Sequence, residues 1–485
     1  MDDLYSPYTA LLYIFNLIIG TGALTLPKAF HEAGWLFSTI MITFIALVSY
    51  ITATFVIEAM AICNALIQWE KLEKMKRVSR YLRLAVETVE ESTDDEMSDT
   101  EDSLMLPAAY IDNYPSEPKR LFTLDLKCEL SEMATTLFSR TGQFSFYVCL
   151  CLYLYGDLTI YSAAIGKTLV DLSCNIKENV TDLDPCWESY SFTRRVMYQM
   201  FLSCFLFVFG PFVFFNVQKT KYLQFFTSVT RWLAFSLMIS LAISRIVDPT
   251  KLHGSPALAV PSGLPALFGS CVYSFMCHHS LPGLITPVSD KSKLNTHLAI
   301  DYVSILLFYL TLSLTAVFAF PEPKDLYTLD FEPTGSKLSI LFGIFLTSFP
   351  VLTLTTSFPI IAVTLRSNIQ AMFSFCEWWF LRALFVPLLT VIPPVLIAMT
   401  TENMETLVGV TGSYAGVIIQ YIIPASLILV GRKSIPEALS NQPLQYKSPF
   451  QSAVWPFLVM LWAFITVILV TFDIVHDRSV QSLPT

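Results

Sequence analysis

Hydrophobic residues in this chain fall into long runs separated by polar stretches. Eleven runs stand out, at roughly 8–30, 35–61, 142–170, 197–217, 223–247, 264–285, 298–320, 338–364, 379–400, 405–430 and 452–475. Each approaches or exceeds the roughly 20 apolar residues that a helix needs to cross a bilayer. The pattern predicts an all-α polytopic membrane protein with about eleven transmembrane helices. Two of the runs are interrupted. The first, YTALLYIFNLIIGTGALTLPKAF, carries Gly20, Thr21 and Gly22 at its middle. Each of these glycines costs roughly 1 kcal/mol of helix propensity relative to Ala. The sixth holds Ser274, Cys277, His278, His279 and Ser280, followed by Pro282, Gly283 and Pro287. A proline inside a helix removes a donor and clashes with the preceding turn. Irregular backbone at membrane depth is tolerated only where protein or a water-filled cavity covers it. Both interruptions therefore point to a site within the membrane.

Spans one and six enter the membrane from opposite sides and stand five spans apart. Spans one to five and six to ten then form an inverted repeat, with span eleven outside it. Paired interrupted spans in corresponding halves are the sequence mark of a transporter site. The chain divides into residues 1–61 with spans one and two, a loop at 62–141, residues 142–247 with spans three to five and an outer loop at 171–196, residues 264–430 with the second repeat, and span eleven at 452–475. Loop Lys and Arg split 18 to 7 if the N-terminus is cytosolic. This charge bias orients the chain and puts the C-terminus outside the cell or in a lumen. The outer 171–196 loop contains Cys174, Cys186 and the sequon Asn179-Val180-Thr181. A disulfide and a glycan at Asn179 suit an oxidising compartment.

Composition narrows the class. The 485 residues are 54% hydrophobic and 14% charged, with a mean hydropathy of +0.57, which excludes a soluble domain with a tail. The net charge of −9 is local: residues 87–102 hold nine acidic side chains and no basic one. No basic footprint for nucleic acid exists elsewhere. The 62–141 loop opens with a basic helix extending span two, passes through an acidic, apolar-poor stretch expected to be disordered, and ends in an amphipathic lead-in to span three at 121–139. Ser92, Thr93, Ser98, Thr100 and Ser103 sit among carboxylates. Residues 87–103 read either as a kinase or cytosolic-partner site or as a solvated linker. No cleavable leader is apparent, so the first span is expected to serve as the targeting signal.

Other polar residues lie inside the spans. Asp157, in LYLYGDLTIY of span three, is expensive at that depth; it either carries a coupling proton or makes a structural hydrogen bond. His278 is a second proton-coupling candidate, although adjacent His278 and His279 cannot share one helix face. Glu58 lies near the cytosolic end of span two. Gly409, Gly412 and Gly416 suit close helix packing. Walker A, HExxH and GxSxG motifs are absent from the sequence, as is any His/Cys cluster with metal spacing. No enzyme and no cofactor is expected, beyond Na⁺ as a coupling ion.

The segment NLIIGTGALTLPKAF, with Asn16 four residues before Gly20, resembles the first span of the amino acid/auxin permease family, including its sodium-coupled neutral amino acid transporters. LYSPY, TFVIEAMA, LYGDLTIY, GPFVFFNVQKTKYLQ, CVYSFMCHHSLPGLITPVS, SFPIIAVTLR and LVGVTGSYAG are closely similar to the transmembrane protein 104 group of that family. The resemblance covers nearly the whole chain outside 62–128 and the outer loops. It implies a broken-helix transporter fold with five-plus-five inverted repeats and one extra helix. It also implies a substrate carboxylate at the backbone of Gly20, Thr21, Gly22 and Ala23, facing Tyr273, Ser274 and Cys277. A helix N-terminus suits an anion, and carbonyls at Leu17 to Ile19 would take the substrate ammonium or Na⁺. The implied sodium ligands are Asn16, Ile19 and, through alignment on Pro359 and Arg366, Ser357. Asn16 reads alternatively as an interhelical hydrogen-bonding residue, and Ser357 as back-bonded to its own helix. The expected function is alternating-access transport of small neutral amino acids coupled to Na⁺ or H⁺, in the plasma membrane or an endolysosomal one. The alternative is a non-transporting amino acid sensor that signals through the 62–141 loop.

Overall fold

The computed structural model describes residues 4–90, 121–174, 183–187, 190–214, 221–331, 337–372, 381–440 and 442–481. Asn179 and the Ser/Thr cluster at 92–103 lie outside these residues. Among the described residues, ten segments are long and apolar enough to cross a membrane, counting one bent pair as a single span. The pair is span one, Pro7–Ile18 and Thr21–Ala33, bent by 56°. Span six is the eleventh segment. Its halves, Leu264–Ser274 and Leu281–Ile285, are 11 and 5 residues long, each too short to pass a length test alone.

Local sequence sets the ends of span one. Ser6 caps it by accepting from Thr9 N at 3.2 Å, and Pro7 sits at the first turn, where a missing N–H costs nothing. Gly34 closes it with φ +87°; a Cβ there would meet the Ala259 backbone at 2.7 Å. Span two then runs as one helix from Trp35 to Glu90. At 1.5 Å per residue it is far longer than a bilayer core, so its basic end projects beyond the apolar layer.

The second half of span one sits at the centre, with every residue from Thr21 to Pro27 buried. It packs against the first half of span six, span seven (Leu294–Ala319) and the start of span ten (Met404–Lys433). Span three (Arg140–Ser173) packs along span eight (Lys337–Met372) and span nine (Val386–Thr400). Spans six and ten touch backbone to backbone. A Cβ on Gly412 would lie 2.0 Å from Gly269 O, and one on Gly269 would lie 2.2 Å from Gly409 O. Small residues permit such approach in membranes.

Glu58, near the cytosolic end of span two, is held by three hydrogen bonds. Arg432 forks onto it with Nε–Oε1 and Nη2–Oε2 both at 2.8 Å, and Ser448 N donates a third bond at 2.8 Å. A buried ion pair holds only when its remaining hydrogen-bonding capacity is met, as it is here. The 121–137 segment is also packed. Leu124, Cys128, Met133 and Ala134 are fully buried, and Asn64 Nδ2 donates to Thr123 O and Leu126 O at 2.9 and 3.1 Å. Cys174 and Cys186 form a disulfide beside a short hairpin, Pro185–Trp187 with Tyr190–Thr193.

Candidate substrate site at the paired breaks

Span one stops at Ile18; Ile19 takes an extended backbone and Gly20 a non-helical one at φ −125°, ψ −144°. The lost turn deprives the Asn16, Leu17 and Ile18 carbonyls of their helical donors, and frees N–H groups at the start of the next half-helix. With no water to serve them, these groups must be met by protein. Tyr309 OH, from span seven, donates to Ile18 O and to Ser274 O, both at 2.9 Å. A phenol has one hydrogen, so this is one proton shared between the carbonyls that end the two first halves. Arg231, from span five (Lys221–Val247), donates Nη1 to Asn16 O. Of the Leu17 to Ile19 carbonyls expected to be free for substrate or Na⁺, Ile18 O is paired with span seven; the neighbouring Asn16 O is paired with a guanidinium.

On the N–H side, Thr21 Oγ1 lies 3.1 Å from Tyr273 OH, and Tyr273 OH donates to Asp157 Oδ1. Because the phenol proton goes to the carboxylate, Thr21 donates to the phenol. The chain Thr21, Tyr273, Asp157 joins span one, span six and span three. Thr21, Tyr273 and Asp157 are 3%, 6% and 6% exposed, so the chain is shielded from bulk water. Tyr161, one turn beyond Asp157, lies in the field of both the Asp157 carboxylate and the Arg231 guanidinium.

The residues named from sequence separate into two groups. Gly20, Thr21, Gly22, Ala23, Tyr273, Ser274 and Asp157 meet at one locus. Gly22 and Ser274 touch so closely that a Cβ on Gly22 would lie 2.8 Å from Ser274 Cα. Cys277 and His278 face elsewhere: Cys277 Sγ is 3.3 Å from Tyr302 OH of span seven, and His278 Nε2 is 2.9 Å from Thr52 Oγ1 of span two. His279, instead, lies on the Asp157 side, its ring 5.4 Å from Tyr153, which is 6.5 Å from Tyr273. Asn16 and Ile19 line a narrow crevice, too tight for a water molecule, with Phe15, Arg231, Trp232, Phe235 and Phe308. Both polar side-chain atoms of Asn16 are buried without a partner. The Ser357 hydroxyl donates to Thr353 O of its own helix at 3.0 Å.

Three residues here were missed in the sequence. Arg231 and Asp301, a buried carboxylate of span seven, are ionisable residues inside apolar runs. The rule that singled out Asp157 selects them too. Tyr309 carries no such signal, being one aromatic among many.

The two breaks are latched at their first and last residues. Tyr5 N donates to Pro287 O at 3.0 Å and Ser289 N to Tyr5 O at 2.9 Å. Burial pushes the Tyr5 phenol up to about 12. At the other end Val260 N donates to Ala33 O at 2.8 Å, joining the end of span one to the lead into span six.

The sequence pattern of the family described as "Transmembrane amino acid transporter protein" matches residues 5–472. The transmembrane protein 104 homolog of Drosophila melanogaster is 42% identical over 97% of each chain. Transmembrane protein 104 of Homo sapiens is 43% identical over 98% of each. The crystal structure of MhsT in complex with L-phenylalanine shares the fold at a TM-score of 0.50 and 12% identity, covering 98% of this chain and all of that one. The chain belongs to the transmembrane amino acid transporter protein family, within its transmembrane protein 104 group, and has the broken-helix transporter fold.

Proposed function

We propose that this protein is a secondary active transporter of small neutral amino acids that works by alternating access around the paired breaks. The substrate carboxylate meets the N–H groups from Gly20 to Ala23, at the positive end of the half-helix. Ser274 and Tyr273 form the facing wall, and Gly22 against Ser274 keeps the pocket small. The observation that carries the coupling is the Thr21–Tyr273–Asp157 chain. A carboxylate buried at membrane depth is stable when protonated or hydrogen-bonded, and this one is linked through Tyr273 to the side chain of Thr21, at the start of the half-helix. The proton is therefore the preferred coupling ion over Na⁺. Spans one and six exchange the latches at Tyr5 and Ala33 as the site opens to either side. The N-terminus faces the cytosol and the C-terminus the outside or a lumen, with a glycan at Asn179.

A second reading, an amino acid sensor, is favoured by the packed 121–137 segment. Lys291, which follows span six, bonds Asp125 at 3.2 Å, so movement of span six is felt in the loop. Deleting 87–103 separates the two: a transporter keeps its uptake, whereas a sensor loses its readout. The primary test is uptake of labelled alanine into proteoliposomes under imposed H⁺ or Na⁺ gradients. Accumulation driven by a gradient supports transport. Uptake that ignores both gradients, for alanine and every other amino acid tried, rejects it.

A further inference from the structure

The Arg231 guanidinium lies at the carbonyl end of the first half of span one, bonded to Asn16 O. The first half of span one ends inside the membrane, and its last carbonyls carry the negative end of the helix dipole. Asn16 and Ile19, two of the three residues read from sequence as sodium ligands, line the same crevice as Arg231. Arg231 Nη1 bonds the main-chain oxygen of Asn16 itself. The crevice walls are aromatic: Phe15 stacks on Trp232 at 4.5 Å, and Phe235 and Phe308 close the other side. A charge in such a place needs a partner, yet among the described residues no carboxylate lies within ion-pair distance of Arg231. Its compensation is the carbonyl end of a helix. The third expected ligand, Ser357, is not among the residues lining this crevice.

We propose that Arg231 is a resident cation, a tethered replacement for Na⁺ at the carbonyl end of the span-one break, and that transport is consequently independent of sodium. The inference rests on the transporter reading for its uptake arm but not for its binding arm. Arg231 is a positioning residue: it neutralises and holds the end of the half-helix against which substrate binds, and it never leaves with substrate. Removing it frees the Asn16 main-chain oxygen, beside the Asn16 carboxamide that has no partner among the described residues, as oxygen ligands for a small cation.

The binding arm uses purified full-length protein and thermal unfolding in NaCl against choline chloride. Wild type is expected to melt at the same temperature in both salts. Arg231→Ala, which opens the site, is expected to be less stable in choline and to regain stability in NaCl. Guanidinium at sub-denaturing concentration is expected to restore it as well, and Arg231→Lys to behave as wild type. Sodium-specific stabilisation of wild type overturns the inference, and so does Arg231→Ala that is stable yet indifferent to both cations. If Arg231→Ala does not fold, Arg231→Met and Arg231→Lys carry the test through uptake. Arg231→Met should lose about tenfold or more of alanine uptake, from the loss of a charged hydrogen bond, while Arg231→Lys keeps most of it without Na⁺. Equal uptake by the two overturns the inference. A protein that fails to transport yet follows the melting pattern rejects the transporter reading and keeps the resident cation.

Discussion

The two breaks lie side by side and solve the same problem in opposite ways. At span one the break is made of backbone. Gly20 and Gly22 supply no side chain, so the freed carbonyls of Asn16 and Ile18 are met from outside by Arg231 and Tyr309, and the Thr21 hydroxyl by the Tyr273–Asp157 pair. At span six the break is made of side chains. Ser274 bonds back to Ser270 O, Cys277 meets Tyr302, and His278 meets Thr52, while the main chain folds through turns at Phe275, Met276 and Leu281. The first break draws its partners from four other spans, three, five, six and seven. The second is closed on its own neighbours. In the proposed transport cycle the difference divides the work: span one presents the binding groups, and span six supplies a wall and a joint. Tyr309 alone serves both, because its one proton bridges Ile18 O and Ser274 O.

Breaking the contact between the two should have the largest effect. Gly22→Val puts a branched side chain where even a Cβ meets Ser274 Cα at 2.8 Å, so the half-helices must separate. Uptake is expected to be abolished and detergent stability to fall, whereas Gly20→Ala, with nothing within 4 Å of its Cβ, should do far less. Equal damage from both removes the close approach from the account. Next comes Asp157→Asn, which keeps an acceptor for Tyr273 but cannot exchange a proton. Uptake driven by a pH gradient should fall about tenfold or more, in the range general acid–base groups contribute, while substrate exchange across equal pH persists. Tyr309→Phe leaves two buried carbonyls short of a donor. It should cost about 1–3 kcal/mol, read as a lowered melting temperature. Thr52→Val removes a bond from the span-six break alone, at about 1 kcal/mol, with uptake changed only a few-fold. The smallest effect belongs to Ser357→Ala, whose hydroxyl already bonds its own helix. Uptake and its response to Na⁺ should stay within about twofold, since a back-bond of this kind carries little net stability.

The architecture was legible because it rests on length and periodicity. Apolar runs gave the spans, and the Gly-Thr-Gly and Pro-Gly interruptions placed both breaks. The joining of Thr21 to Tyr273 was readable only as far as each lies at a break; that Asp157 completes the chain required the fold to bring span three across. Arg231 was legible in principle, as a charge inside span five, but its meeting with Asn16 O is set by how span five leans on span one. Tyr309 was not legible, because its importance comes from two carbonyls that exist only once both helices have stopped. The His278–His279 pair shows the same limit. Sequence stated that they face apart, and the fold decided that His279, not His278, turns toward Tyr153.

The proposed coupling requires that Asp157, linked to Thr21 through Tyr273, carry a proton with the substrate. Proteoliposomes loaded with a pH-sensitive dye, in sodium-free buffer, test it most directly when alanine is added outside. Wild type should acidify the interior on addition of alanine, and Asp157→Asn should not, although it still exchanges labelled alanine. Alanine-driven acidification that survives in Asp157→Asn, or wild-type uptake that moves no protons and needs Na⁺, contradicts the account.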